Sequence, residues 1–278
     1  MPIPNQPLGR HGATIPALGL GVFRMPAEDT ARMVKTALQL GYRHIDTAQI
    51  YNNEADVGRG MTEAGVARDQ VFLTTKVWVD KYRSKDFLAS VRDSLEKLRT
   101  DYVDLLLLHW PNNDVPLAEQ IDALNQVQAL GQTRHIGVSN FNVALMQEAA
   151  RLSAAPLVNN QVEYHPYLDQ RIVRAEAKRL GMSVTAYFGM ADGKVLTDPL
   201  IGAIAARLKK TPAQIALRWL VQQDDVIALS KTLHADRAAA NAQIFDFELS
   251  QDDMTAISAL ANPDGRIVSP PGLAPAWD

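Results

Sequence analysis

Apolar positions recur along the chain with two periods. Leu88, Val91, Leu95 and Leu98 fall at helical spacing with charges between them, and Leu117, Ile121 and Leu124 do the same. Thr211-Pro212-Ala213-Gln214 has the form of a helix start, with a capping Thr, Pro at the first helical position and Gln three residues after the cap. Helical stretches stop at Gly41, Gly65, Gly131 and Gly181, as they do at glycine C-caps. A short apolar or β-branched run follows each stop. The pattern predicts strands near 17–22, 42–47, 71–77, 103–109, 134–139, 157–162, 183–187 and 225–229, with helices between them. The run 103–108 is almost continuously apolar, which suits a parallel strand covered on both faces. Eight such units in 278 residues predict a (β/α)8 barrel formed by one domain, residues 1–278. No Gly-rich G-x-G-x-x-G follows the first strand, which argues against a Rossmann domain.

Two segments fall outside the eight units. PLGRHGATIPALG, residues 7–19, predicts a hairpin turning at His11-Gly12 and closing the bottom of the barrel. The C-terminal NPDGRIVSPPGLAPAWD is rich in Pro and Gly and does not read as helix. Its Ile267, Val268, Leu273 and Trp277 are apolar groups available to pack over a pocket at the barrel mouth.

Composition narrows the function classes. The chain is 47% hydrophobic and 21% charged, with a net charge of −3, so it has no basic footprint for nucleic acid. No apolar run is long enough for a membrane span. MPIPNQPLGRHG lacks the apolar core of a signal peptide, and a cytoplasmic location is expected. There is no cysteine, hence no disulfide framework or thiol nucleophile. The six histidines show no metal-ligand spacing, and no metal is expected. No apolar dimer face stands out, and a monomer is expected.

Active sites of such barrels lie at the C-terminal ends of the strands. The second run ends in HIDTA, placing Asp46 there and Tyr51 in the following loop. The third ends in LTTKVW, with Lys76 and Trp78, and the fourth in LLLLHW, with His109 and Trp110. The fifth ends in Ser139-Asn140, the sixth carries Asn160, Gln161 and Glu163, and the seventh ends in Tyr187. Taken singly, Asp46 is a loop cap, Lys76 a snorkelling lysine and Asn140 a helix start. Together Asp, Tyr, Lys and His at successive strand ends form a chemical set. A lysine ammonium beside a tyrosine lowers the phenol pKa, and an aspartate keeps the lysine charged. A neutral histidine can donate a hydrogen bond to a carbonyl oxygen. Such a set can protonate an oxygen that is becoming an alkoxide, and because it holds no electron carrier the hydride must come from a nicotinamide.

At these residues the sequence resembles the aldo-keto reductase superfamily over essentially its whole length. The matching stretches are GYRHIDTAQIYNNEADVG (41–58), TTKVW (74–78), YVDLLLLHWP (102–111), IGVSNF (136–141) and NNQVEYHP (159–166). Within the superfamily, LRTDYVDLLLLHWP and RIVSPPGLAPAWD are similar to the shorter, B-type bacterial 2,5-diketo-D-gluconate reductases, which also act on methylglyoxal. The resemblance implies a TIM barrel and NADPH-dependent reduction of aldehydes and ketones, with Asp46, Tyr51, Lys76 and His109 as the catalytic tetrad. It implies that Ser139, Asn140 and Gln161 hold the nicotinamide carboxamide and that Tyr187 stacks on the ring. Lys231, Thr232, Arg237 and Asn241 match the clamp on the adenosine 2′-phosphate. Phe23, Trp78, Trp110 and Trp277 are expected to form the apolar wall around a small carbonyl substrate.

The sequence departs from the family pattern in two places. After the seventh strand a Ser-Pro-Leu-Gly type turn is replaced by Phe188-Gly189-Met190-Ala191-Asp192-Gly193-Lys194, leaving glycine and backbone N–H groups to meet a pyrophosphate. After the eighth, Pro-Lys-Ser becomes Ser230-Lys231-Thr232. Two other readings compete. A Schiff-base lyase using Lys76 leaves Tyr51 and the Ser139-Asn140-Gln161 group without a shared role. A non-enzymatic, cofactor-sensing subunit is expected to lose part of the tetrad, and this chain keeps all four.

Overall fold

The computed structural model describes residues 2–278. The chain opens with a hairpin of β1 (Asn5–Leu8) and β2 (Ala13–Pro16), paired antiparallel with Leu8 opposite Ala13. The turn lies at residues 9–12, as the sequence predicts. Leu8 and Ile15 pack against Leu105, Leu107, Val158 and Ile227, so the hairpin seals one end of the barrel. Gly9 has to be glycine: its φ is +66°, and a Cβ there would lie 2.4 Å from the Gly181 carbonyl oxygen.

Eight parallel strands close the barrel. In chain order they are β3 (Leu18–Gly21), β4 (His44–Asp46), β5 (Phe72–Val77), β6 (Val103–Leu108), β7 (Thr133–Ser139), β8 (Leu157–Glu163), β9 (Ser183–Tyr187) and β10 (Val226–Ser230), with β10 pairing β3. All eight coincide with predicted runs. The leucine run of β6 is buried throughout because its side chains alternate. Leu105 and Leu107 face the inner cluster sealed by the hairpin, and Leu106 and Leu108 join the layer under the helices. Asp104, in the same strand, is buried but satisfied by Arg68, Arg134 and the Leu73 N–H.

Helices α1 (Ala27–Gln39), α2 (Glu54–Ala64), α3 (Ser84–Leu98), α4 (Leu117–Ala129), α5 (Val143–Leu152) and α6 (Arg171–Arg179) cross between successive strands. The predicted stops at Gly41, Gly65, Gly131 and Gly181 are all left-handed. Between β9 and β10 the chain departs from one helix per strand. A 3₁₀ segment, Ala191–Thr197, precedes α7 (Pro199–Leu208) and α8 (Pro212–Val221), and α8 starts on the predicted Thr211–Gln214 capping box. After β10 come α9 (Ala235–Ala242) and α10 (Gln251–Ser258), then an extended tail.

One buried group gives the fold a distinctive pH response. His44 starts β4, with Nε2 3.2 Å from Thr74 Oγ1 and Nδ1 without a partner. Gly19 leaves room for it, since a Cβ there would lie 2.5 Å from Nδ1. Burial, and after it the nearby Lys76 ammonium, push this imidazole down to about 3. Its unfolded pKa is about 6.5, so the neutral ring contributes stability above that pH and the contribution is lost as pH falls toward 3. Each pH unit in that window corresponds to about 1.4 kcal/mol. The drop in unfolding free energy between pH 6.5 and 4.5, measured by urea titration, is therefore expected to be about 2 kcal/mol smaller in His44→Leu than in the native chain.

Candidate active site

A cavity of about 420 Å³ opens at the C-terminal ends of the strands. Asp46 ends β4 at its floor and Lys76 projects from β5 beneath it, both buried. The ammonium Nζ lies 2.6 Å from Asp46 Oδ1 and donates to the Thr47 carbonyl at 2.7 Å. Gln161 on β8 donates to the other oxygen, Asp46 Oδ2, at 2.7 Å. Burial pulls the Lys76 pKa down, and the Asp46 carboxylate opposes that by favouring the ammonium.

Tyr51 ends a 3₁₀ turn, Gln49–Tyr51, that follows β4. The turn is braced by Gln49, whose Oε1 accepts the Trp78 N–H at 2.9 Å while its Nε2 donates to Ser90 and Ser94 on α3. Sequence reading missed this glutamine, whose three bonds reach across two other elements. The Tyr51 ring centroid lies 5.2 Å from Lys76 Nζ, 5.6 Å from the His109 ring and 4.9 Å from Phe23. All four members of the expected tetrad therefore meet in one place.

The electrostatics differ from expectation at Tyr51. Lys76 was expected to draw the phenol pKa down. Burial dominates instead and pushes it well above 10, and the Asp46 carboxylate and Tyr187 add to the rise. The phenol is held neutral. His109 is also neutral, since burial and then the Lys76 charge hold it well below its usual value. Among the described residues its Nδ1 is buried without a partner and its Nε2 makes no bond, which leaves Nε2 as the nitrogen open to the cavity.

On the β7–β9 side the polar groups are knitted together. Asn140 adopts a left-handed φ of 63° and receives the Tyr187 hydroxyl on Oδ1 at 2.6 Å, while its amide donates to the His109 carbonyl at 3.0 Å. Ser139 Oγ donates to the Gln161 carbonyl at 2.7 Å. Ser139, Asn140, Gln161 and Tyr187 all line the cavity. Among the described residues, Gln161 Oε1 has no partner. Lys231 lies at the rim; Thr232, Arg237 and Asn241 stand beyond the cavity on the turn into α9 and on α9 itself. Lys231 and Arg237 are exposed and form no ion pair among the described residues.

Phe23, Trp78 and Trp110 line the cavity, but Trp277 does not. Trp277 stands behind Trp110 at 6.2 Å between centroids, with the Arg266 guanidinium 3.6 Å over its ring. The tail reaches the cavity through Val268 and Pro270 instead. Sequence reading also missed Arg24, Ile50, Phe188, Met190, Asp192 and Leu229 as lining residues. A signal existed for three of them, because the 188–194 turn departs from the family pattern. There Phe188, Ala191 and Asp192 have φ of 62°, 47° and 52°, and the N–H groups of Gly189 and Met190 make no bond to other described residues. Among the described residues no cluster of side chains is arranged to hold a metal ion, and no helix is long and apolar enough to cross a membrane.

The aldo/keto reductase family model matches residues 17–262. The chain belongs to the aldo/keto reductase family and is an oxidoreductase. It is 45% identical over 267 residues to methylglyoxal reductase DkgB of Escherichia coli O157:H7, spanning 95% of this chain and 99% of that protein. It is 41% identical over 258 residues to the glyoxal reductase of Bacillus subtilis, spanning 92% of each. A candidate 2,5-diketo-D-gluconic acid reductase B of known structure superposes with a TM-score of 0.94 at 61% identity, over 95% of this chain and 94% of that one. An aldo-keto reductase of Bombyx mori, solved in complex with NADP, superposes with a TM-score of 0.88 at 32% identity, over 94% of each chain.

The Asp46–Lys76 pair should behave as a matched unit in the fold. Asp46→Asn leaves a buried ammonium without its counter-charge and is expected to lower unfolding free energy by about 3 kcal/mol. Asp46→Leu combined with Lys76→Met removes both charges and should recover most of that loss in the same urea titration.

Proposed function

We propose that this protein catalyses NADPH-dependent reduction of small aldehydes and ketones to alcohols, with dicarbonyls such as methylglyoxal and 2,5-diketo-D-gluconate as substrates. The observation that carries this reading is a neutral tyrosine set in the wall of an apolar cavity above a fully buried Lys–Asp pair. The relatives named for methylglyoxal, glyoxal and 2,5-diketo-D-gluconic acid support the substrate class.

The residues fit a nicotinamide dinucleotide. Tyr187 lines the cavity, and among the described residues Gln161 Oε1 and the Gly189 and Met190 N–H groups are free and Lys231 and Arg237 form no ion pair. When bound, the nicotinamide supplies the hydride. The protein's own part is proton delivery and exclusion of water. Tyr51 donates its hydroxyl proton to the substrate oxygen, and burial ensures that the proton is present at neutral pH. The Lys76 ammonium offsets the negative charge left on the phenol oxygen, and Asp46 keeps that ammonium charged. His109, neutral, donates a hydrogen bond through Nε2 to the same substrate oxygen. Phe23, Trp78 and Trp110 keep the reacting carbonyl dry. Lys76 is consumed by Asp46 and Thr47 and does not line the cavity, which disfavours the Schiff-base reading.

The decisive measurement is oxidation of NADPH in the presence of methylglyoxal; absence of turnover would sink the reading. Tyr51→Phe deletes the proton donor and little else. It is expected to lower kcat by about a hundredfold or more while NADPH binding, followed by fluorescence, stays near native.

Coenzyme choice gives a second test. The 2′-phosphate of NADPH carries close to two negative charges, and Arg grips phosphate bidentately while Lys adds a point charge. Loss of one such charge-assisted contact corresponds to about tenfold in affinity. Arg237→Ala and Lys231→Ala are each expected to weaken NADPH about tenfold and NADH little, so the ratio of the two dissociation constants is the quantity to measure. Equal losses for both coenzymes in Arg237→Ala would remove this residue from the clamp.

A further inference from the structure

Glu163, the last residue of β8, has no part in the proton delivery described above. Its side chain is fully buried, at 0% exposure. Each carboxylate oxygen accepts one backbone N–H from the C-terminal tail: Oε1 from Ile267 at 2.7 Å and Oε2 from Val268 at 2.9 Å. His165 Nε2 lies 2.9 Å from Oε1, and Arg266 Nη1 lies 3.8 Å from Oε2. The backbone carrying the carboxylate is itself fixed, because Gln170 Nε2 donates to the Glu163 carbonyl at 2.7 Å.

The segment held in this way shapes the cavity. Val268 and Pro270 line it, and Trp277 backs Trp110, which also lines it. Apolar burial does not account for the position of the segment. No residue from 266 to 278 is buried, and the Ile267 side chain is 45% exposed. The attachment comes at three points, the first a close backbone packing and the other two polar. The first is Gly265, packed so closely under the Tyr167 carbonyl that a Cβ would lie 1.7 Å from its oxygen. The last is the N-terminus of α5, where Asn142 Nδ2 donates to the Ala276 carbonyl at 2.7 Å and the Val143 N–H donates to Asp278 at 2.8 Å. Glu163 lies between them, next to the two residues that enter the cavity wall.

We propose that Glu163 is the positioning residue that docks the tail as the substrate-side wall of the cavity, and that it thereby sets which carbonyl compounds are accepted by size. The substrate half of this proposal rests on the carbonyl-reductase reading; the docking half does not. A carboxylate suits the task because it presents two acceptor oxygens to two N–H groups. Glutamine has nearly the same volume but only one acceptor, and its amide NH₂ would face the second N–H. Glu163→Gln therefore breaks one of the two bonds while leaving the barrel filled.

The test uses full-length Glu163→Gln and reads hydrogen exchange first. The Ile267 and Val268 amides should exchange about tenfold or more faster than in the native chain, while amides within β5 and β6 stay protected. The kcat/KM ratio between a six-carbon hydroxylated dicarbonyl and methylglyoxal should shift by about threefold or more, through KM rather than kcat, with NADPH affinity unchanged. A chain ending at Gly265 should show the same shift, and Glu163→Gln made in that shortened chain should add nothing to it. Unchanged exchange and an unchanged ratio overturn the proposal. So does a full shift from Glu163→Gln in the shortened chain, since Glu163 would then act without the tail. Should Glu163→Gln fail to fold, Ile267→Pro removes one bond from the tail's side without altering a lining residue, and an unchanged ratio there overturns it equally. If the native enzyme reduces no carbonyl compound, the functional reading falls while the exchange measurement still decides whether Glu163 docks the tail.

Discussion

The ammonium of Lys76 is a full charge placed inside the barrel, and such a charge is tolerated only when its hydrogen bonds and counter-charge are supplied in good geometry. Asp46 and Thr47 supply them directly, and Gln161 completes the carboxylate. These groups come from β4, the turn that follows it, β5 and β8, so the charge ties three strand ends into one arrangement. A slip of any of these strands by one residue would turn its side chains to the opposite face and leave an ion unpaired. The same charge governs the two nearest histidines. His44 below and His109 beside the cavity are both kept neutral, first by burial and then by this ammonium. Stability and chemistry thus depend on one geometry, and the conditions that keep the lysine charged also keep the neighbouring rings as hydrogen-bond donors rather than cations.

Much of this was legible in the sequence for physical reasons. Parallel strands covered on both faces read as continuous apolar runs, and the helix before several of them ends at a left-handed glycine, so the eight strands stood out. A polar residue ending such a run has only the barrel mouth to face, which is why Asp46, Lys76, His109, Gln161 and Tyr187 could be placed without coordinates. What escaped were relations set by distant partners. Gln49 gives no local signal, since its bonds reach Trp78, Ser90 and Ser94. Trp277 sits in a stretch without periodicity, and its contacts are with Arg266, Trp110 and Ser269. The direction of the Tyr51 shift was misread because a neighbouring cation is visible in a sequence and the depth of burial is not.

The turn after β9 shows how departure from a family pattern can carry information. Three residues with side chains take left-handed conformations within five positions, each at a cost of about 1 kcal/mol or more. Ala191 and Gly193 bond back to Phe188 and Met190 within the turn, which stabilises an arrangement that places Phe188, Gly189, Met190 and Asp192 along the cavity. A loop of unusual composition has been fitted to the same position on the barrel, which is where variation between related barrels is expected to collect.

The bond pattern at Glu163 has a consequence for how such enzymes diverge. At residues 267 and 268 the carboxylate accepts from the main-chain N–H, a group that every residue except proline carries. The side chains at 267 and 268 are therefore free to change without loosening the segment that bears them. A segment mounted in this way can be resurfaced by point substitution, or exchanged whole with that of a relative, while the barrel beneath stays untouched.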